Sequence, residues 1–507
     1  MSALPLSPDL AARAARRWRQ RPALWADGRW LTYGELNARA TQLAARLAAE
    51  GVVKGDRVGI LALNHLAHFD LLLAAPKLGC IYTPFNHRLS AEETRALLDY
   101  VRPVRLFVDA PNHALAAVYA GPTVLLDDYA QWLQGPTGTA QGAVTNEDIH
   151  MLLFTGGSTG TPKGALIPYR QTLANIVATV RGWRLKRDDA AIQATPCFHA
   201  ALNVYATPLL AIGGRVVLMP SFEPGEYLRL MQHAKVTRLF MVPTMYRMLA
   251  EHADFASADF SSVRGAISGG APCPPALRSL FAARGIAFKQ GFGMTEAGVN
   301  CFAMGDAEAA AEPLTVGRPL PGLSAVVRRE DGSVCARDEV GELTLRGPQV
   351  CAGYFERERE WAESYREGWL WTGDLARVDA AGRHFIVGRR KEMFISGGEN
   401  VYPAEVEAVL ATHPALLECA VLGVPDARWG EVGLAAVSVR PGALLDEAAL
   451  AAWLKAHIAG YKRPRALLFF TALPKTGAGK FDKPEIRRQY QERLEREERE
   501  RAGSPAT

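Results

Sequence analysis

Thr155-Gly-Gly-Ser-Thr-Gly-Thr-Pro-Lys-Gly164 is the segment of this chain with the clearest capacity for chemistry. Its glycines, Gly160 among them, let the backbone approach a ligand closely. The hydroxyls of Thr155, Ser158, Thr159 and Thr161 and the main-chain N–H groups can bind phosphate oxygens, and Lys163 adds a mobile positive charge. The apolar run 151–154 just before it sets the loop at the end of a strand. The segment reads as a phosphate loop, but not a Walker loop: that pattern demands Gly-Lys-Ser/Thr, whereas Lys163 stands between Pro162 and Gly164. On its own, the plainer reading is a flexible surface loop.

The elements that must hold such a loop are legible as a repeating texture. From about residue 56, short apolar runs (58–63, 80–84, 151–155, 215–219, 237–242, 265–268, 287–290) alternate with helical patterns such as 67–78, 243–251 and 274–284. Strands alternating with helices imply parallel sheets covered on both faces. Past 320 the strands shorten and become turn-bounded (325–329, 342–346), which predicts a small β unit at about 320–388. Beyond Gly388 a mixed pattern follows: a helix begun by Pro403, strands at 419–423 and 434–440, and a helix at 446–457. The fold class expected is α/β: a large N-terminal domain of doubly wound sheets, residues 1–390, and a small, mobile α+β C-terminal domain, residues 391–490. A charged tail, 491–507, carries i,i+4 pairs such as Glu492 with Arg496 and reads as a solvated helix end. The Gly, Pro and Thr cluster at 135–145 is expected to be a loop joining two lobes.

Composition excludes more than it selects. The chain has 507 residues, 49% of them hydrophobic and 22% charged, which describes a globular protein too long for one ordinary domain. Its net charge of +5 is spread along the sequence and argues for neither nucleic-acid nor membrane binding. No stretch reaches the roughly 18 uncharged apolar residues of a membrane span. The seven cysteines show no CxxC pair and no metal-ligand spacing, as expected of reduced thiols in a cytoplasm.

Set beside further segments, the glycine-rich loop resembles the phosphate loop of the AMP-forming adenylating superfamily: acyl-CoA synthetases, firefly luciferase and the adenylation domains of peptide synthetases. The segments that match in the same order are Pro196-Cys-Phe-His199, Ser268-Gly-Gly-Ala-Pro272, Gly291-Phe-Gly-Met-Thr-Glu296 and Trp371-Thr-Gly-Asp374, then Gly388-Arg-Arg-Lys-Glu392, Ser396-Gly-Gly-Glu-Asn400 and Pro474-Lys-Thr-Gly-Ala-Gly-Lys480. They run from about 30 to 485. Two positions depart from the family's habit: Phe292 stands where Tyr is usual, and Gly156 replaces a usual Ser.

The resemblance implies roles, each compatible with the side chain concerned. Phe292 offers a face to adenine, with Gln290, Gly291, Gly270 and Ala271 forming the backbone-lined slot beside it. Thr295 offers a hydroxyl to the α-phosphate, and Glu296, with Thr155 nearby, offers hard oxygens to Mg²⁺. Asp374 and Arg389 are implied to hold the ribose. Lys391 falls at the hinge between the domains, and Lys480 enters during adenylation to bridge carboxylate and α-phosphate. Gly397, Gly398 and Glu399 form a loop that leaves room for pantetheine. The acyl pocket is expected from His199, Ala200, Ala201, Val204, Ala271, Ala297 and Val299, which are mostly small and apolar, and His199 more as gate or lining than as a base.

The activity implied is ATP-dependent conversion of a carboxylic acid to an acyl adenylate and then to acyl-CoA, with ATP, Mg²⁺ and CoA taking part. Charge grows on phosphate oxygens in the first step, which Lys163, Lys480 and Mg²⁺ are suited to stabilise. A medium- or long-chain fatty acid is the substrate expected first. An aryl acid, or transfer to a carrier protein, is the alternative, and a non-catalytic acyl-nucleotide binding protein is the rival from another class. Partners are a small-molecule acid and at most a homodimer mate, with no nucleic acid.

Overall fold

Consecutive apolar residues buried on both faces mark the strands of a parallel sheet, and in the computed structural model they build two such sheets. The structure describes residues 7–503 apart from 141, 156–161, 272, 427 and 477–480. The chain divides into two compact units: residues 1–273, 279–326 and 344–372 in one, and 274–278, 327–343 and 373–507 in the other.

The first unit carries a six-stranded sheet in the order Thr123–Leu125, Arg105–Val108, Arg57–Leu61, Ile81–Pro84, Ile149–Thr155, Lys163–Pro168. Every neighbouring pair is parallel except the last, an antiparallel pair in which Thr155 lies opposite Lys163. A seven-stranded sheet follows the order Phe288–Gln290, Gly265–Ser268, Arg238–Met241, Ala190–Gln193, Arg215–Leu218, Pro22–Ala26, Arg29–Thr32, parallel up to its final hairpin. The helix Tyr33–Ala49 starts at a capping box, Thr32 Oγ1 accepting from Glu35 N at 3.2 Å and Glu35 Oε2 from Thr32 N at 2.7 Å. Such a cap contributes about 1 kcal/mol. Its Leu36, Ala40, Leu43 and Leu47 then enter the core at helical spacing. Among the described residues no helix is long and apolar enough to cross a membrane.

The second unit is α+β. Its central feature is the antiparallel pair Leu416–Asp426 and Gly430–Val439; the free edge of Gly430–Val439 takes Phe394–Ser396, itself paired with Glu399–Val401, at Gly430 and the parallel strand Ala466–Phe470 along Leu434 to Ser438. The helices Pro403–Leu410 and Glu447–His457 bury Val406, Leu410, Leu450 and Leu454 against it, and Lys483–Gly503 brings Ile486 to a second apolar cluster.

Two expectations meet a different arrangement. The cluster at 135–145 does not join two lobes: the chain on either side of it supplies Thr123–Leu125 and Ile149–Thr155 to the same six-stranded sheet. The expected boundary near 390 differs from the division by compactness, which falls at 372/373. The chain passes between units within three strands, Ser324–Arg328, Gly341–Arg346 and Trp369–Val378, so no change of texture marks the passage.

Candidate active site

The candidate residues fall into two groups, one in each unit. In the first unit they leave the carboxyl ends of parallel strands, where open α/β sheets bind ligands. Gly265–Ser268 and Phe288–Gln290 are parallel neighbours with Ser268 opposite Gln290, so the loops that follow them emerge side by side. Gln290 ties those loops together: its Oε1 accepts from Cys273 N at 3.0 Å and its Nε2 donates to Ala271 O at 3.1 Å. Gly270 adopts φ 79°, a left-handed conformation that glycine reaches without strain, and Ala271 stays exposed. Phe292, half-buried, sets its ring 5.8 Å from that of Phe302. His199, with Phe198 at 4.5 Å, opens the 3₁₀ turn Ala200–Asn203 after the strand Ala190–Gln193.

Glu296 lies in the 3₁₀ turn Thr295–Ala297 and is 7% exposed. Tyr354 donates its hydroxyl to Glu296 Oε1 at 3.0 Å. Burial, reinforced by the Glu296 charge, holds the Tyr354 phenol well above its ordinary pKa, so it remains a donor at any physiological pH. Lys163 Nζ stands 5.1 Å over the Tyr354 ring and 2.7 Å from Glu360 Oε2. That hydrogen bond from Lys163 pulls the Glu360 carboxyl below the usual carboxylate range. Gln171 Nε2 donates to Thr295 O at 2.8 Å and fixes the turn from behind. Among the described residues no group of three or more His, Cys, Asp and Glu gathers as a metal cage. Mg²⁺ fits this donor set as it fits many phosphate sites: one hard carboxylate, Glu296, with nucleotide oxygens and water completing the shell.

Of the expected acyl-pocket residues, Ala200 and Val299 line a small cavity together with Gln171, Asn175 and Thr295. Val204 and Ala297 do not line it; they are packed into the interior at 2% and 0% exposure. Ser158, Thr159, Gly160 and Thr161 of the phosphate loop, with Gly156, lie outside the described residues, as does Lys480.

In the second unit Asp374 and Arg389 are register partners on adjacent antiparallel strands, with Arg389 Nε 2.7 Å from Asp374 Oδ1. Asp374 is 3% exposed, so its carboxylate is held on one side by Arg389 as a diol-binding carboxylate would need to be. Gly397 and Gly398 are the two central residues of a tight hairpin between Ser396 and Glu399, with φ 60° and 89°. Two left-handed residues are what a type I′ turn requires. A Cβ on Gly397 would stand 2.7 Å from the Trp429 ring, so the turn is narrow because both positions are glycine, and Glu399 is exposed beside it. Lys391 is exposed in the 3₁₀ turn Arg390–Glu392.

Sequence reasoning missed Tyr354 and Glu360. Neither sits in a recognisable motif; both reach Lys163 because residues 352–355 pair alongside the strand Lys163–Pro168, with Ala165 bridged to Tyr354. That pairing has no local signature.

Twin α/β sheets with the buried carboxylate of Glu296 in the same unit as Lys163, and a separate α+β unit, are the arrangement of an adenylate-forming enzyme. The chain belongs to the AMP-binding enzyme family, whose main domain matches residues 11–355 and whose C-terminal domain matches residues 405–480. It is an acid–thiol ligase of that AMP-forming kind. It is 40% identical over 490 residues to a feruloyl-CoA synthase of Amycolatopsis sp, covering 94% of this chain and 98% of the relative. An indoleacetate–CoA ligase of Aromatoleum aromaticum is 33% identical, covering 90% of this chain and 92% of the relative. Among solved structures, the o-succinylbenzoate CoA synthetase of Bacillus subtilis in complex with its acyl-adenylate intermediate superposes with a TM-score of 0.87 at 28% identity, covering 94% of this chain and 97% of that one.

Proposed function

We propose that this enzyme converts an aryl or arylalkenoic acid to its CoA thioester, using ATP and Mg²⁺ and releasing AMP and pyrophosphate. The observation that carries the substrate class is the likeness along nearly the whole chain to ligases named for aryl acids. The sequence reading placed a fatty acid first; the higher identity to ligases named for aryl acids supports placing an aryl acid ahead of it.

The carboxylate oxygen of the acid attacks the α-phosphorus of ATP and pyrophosphate leaves. Mg²⁺, when bound, offsets charge on the phosphate oxygens. Thr295, Lys163 and Lys480 supply donors to the same oxygens, and Glu296, oriented by Tyr354, holds the cation. The CoA thiol then attacks the acyl carbon, AMP leaves, and the thiol proton passes to solvent. Asp374 and Arg389 hold the ribose, and the Gly397-Gly398 turn borders the pantetheine path. Rotation about Lys391 exchanges Lys480 for that turn between the two steps. We place the enzyme in the cytoplasm, on its seven cysteines, none of them in a disulfide among the described residues and five of them buried.

The test is pyrophosphate and AMP release with cinnamic, benzoic, indoleacetic and straight-chain C8 to C16 acids, each with and without CoA. Aryl acids should lead by at least tenfold in kcat/KM, and AMP release should require CoA. A lead for the alkanoic acids would overturn the substrate class, and AMP release that ignores CoA would overturn the acceptor.

A further inference from the structure

Glu342 is a buried carboxylate that the adenylation chemistry does not use, and it is bonded to the peptide that leads into Asp374. It belongs to the strand Gly341–Arg346, next in its sheet to Trp369–Val378, and is 8% exposed. Its Oε1 accepts from Gly373 N at 2.9 Å, and its Oε2 lies 3.3 Å from Nε of Arg390, whose side chain is more than half exposed. Two neighbouring carboxylate–guanidinium pairs result, Asp374 with Arg389 and Glu342 with Arg390.

The residue before Asp374 depends on that hydrogen bond. Gly373 has φ 72°, and a Cβ placed on it would meet nothing within 4 Å, so no side-chain packing holds the peptide in its left-handed conformation. The ladder to the next strand also gives way close by: Asp374 pairs with Arg389 and Leu375 with Gly388, but Ala376 pairs with Ile386, so the register shifts between Leu375 and Ala376. Irregularities of this kind re-aim the side chains beside them. The Asp374 carboxylate is therefore set from two sides, by Arg389 on the side chain itself and by Glu342 on the peptide before it. A buried carboxylate is costly unless it is paired and hydrogen-bonded, and Glu342 has both oxygens engaged at this turn.

We propose that Glu342 is a positioning residue for nucleotide recognition: by holding Gly373 N–H it aims Asp374 at the ribose hydroxyls of ATP. A carboxylate that takes hydrogen bonds from two hydroxyls must be held within about 0.5 Å of its place. The bond to Gly373 asks only for an oxygen at the reach of a glutamate, so glutamine serves and aspartate, one methylene shorter, does not. The inference rests on the reading of Asp374 as the ribose-binding carboxylate and deepens it.

The experiment compares kcat/KM for ATP and 2′-deoxy-ATP, by pyrophosphate release with the best acid of the screen above, in the full-length enzyme and its Glu342→Asp, Glu342→Gln and Asp374→Ala variants. The wild type should favour ATP by about tenfold or more, because the deoxy analogue leaves Asp374 a hydrogen bond short, and Asp374→Ala should bring that ratio close to one. Glu342→Asp should shrink the ratio by about fivefold, and Glu342→Gln should hold it within about twofold of the wild type. Equal loss on both nucleotides in Glu342→Asp, as from a purely structural role, overturns the inference. So does a ratio lost in Glu342→Gln, which would put the effect on the Arg390 pair rather than on the bond to Gly373. Where Glu342→Asp does not fold, Glu342→Ala lacks the same reach and is read the same way. If Asp374→Ala loses the ratio and Glu342→Asp keeps it, this inference alone falls. A wild-type ratio near one, or an Asp374→Ala variant that keeps the wild-type ratio, removes the ribose reading with it.

Discussion

Lys163 Nζ lies 2.7 Å from Glu360 Oε2, while the other oxygen of Glu360 takes Arg357 Nη1 at 3.0 Å. Lys163 is therefore already neutralised by a carboxylate of its own unit, and under the role proposed for it a nucleotide phosphate would take over that ion pair. Lys163 and Glu360 are 23% and 34% exposed, partly in water, so the exchange involves a modest energy. Pairs of this kind are worth about 0.2–1 kcal/mol.

Glu360→Gln should lower KM for ATP by about two- to fivefold, because the amide cannot hold the Lys163 charge and the phosphates meet an unpaired ammonium. The effect should shrink as salt rises, since screening weakens the pair in the wild type as well. Steady-state kinetics at low and high ionic strength check it. An unchanged or higher KM would mean that Glu360 does not compete with the nucleotide.

Tyr354→Phe removes the donor to Glu296 Oε1 and leaves a buried carboxylate oxygen short of one hydrogen bond. Hydrogen bonds to charged groups are worth roughly 1.5–3 kcal/mol. Acyl-adenylate formation should slow by about tenfold or more, with the Mg²⁺ concentration for half-maximal rate moving upward. The Mg²⁺ titration separates positioning from mere loss of packing, which would leave that midpoint in place.

How much of this was legible beforehand can be argued residue by residue. The strands at 265–268 and 287–290, with the loops that Gln290 ties together, were visible because a run buried on both faces is a local pattern. The turn at Gly397-Gly398 was visible because only glycine suits it. Tyr354 and Glu360 were not, since their roles come from strand pairing and packing across long stretches of sequence, and a tyrosine or glutamate carries no mark of its future neighbour. The division by compactness falls elsewhere than the expected boundary for a related reason: texture changes at 390, but compactness follows strand pairings that begin near 324.

His150 is buried between the helix Leu66–Leu78 and Tyr169, its Nε2 at 3.1 Å from Leu72 O and its ring stacked on Tyr169 at 4.5 Å. Burial pushes its pKa down from 6.5 to about 4. The folded state thus refuses a proton that the unfolded state takes up between those values, so stability is complete above pH 6.5 and declines as pH falls toward 4. By pH 5 the loss from this one residue is about 2 kcal/mol. His150→Gln should be less stable than the wild type at pH 7 and lose less between pH 7 and pH 5. Urea midpoints at the two pH values check it; parallel losses would remove His150 as a source of acid sensitivity.

Lys391 sits between two anchored neighbours. Arg390 Nε is 3.3 Å from Glu342, and Glu392 takes Lys483 Nζ at 2.7 Å, with the same ammonium 3.2 Å from Glu407. Burial by itself would push the Lys483 pKa down, but Glu407 and Glu392 outweigh it and hold the ammonium above its ordinary pKa, so it stays charged. With ion pairs on both sides, a change of backbone direction in this turn is expected to fall on the dihedrals of Lys391. Proline fits a 3₁₀ turn, whose φ lies near −60°, so Lys391→Pro should fold and adopt the conformation seen here. What it cannot do is leave that φ. If the enzyme works by rotation about this residue, the variant should keep the half-reaction served by the present conformation and lose the other by a factor of about 10². Single-turnover formation of the acyl adenylate, followed by its CoA-dependent decay, measures the two separately. We expect formation to be spared and decay to slow. Equal slowing of both would remove Lys391 as the hinge.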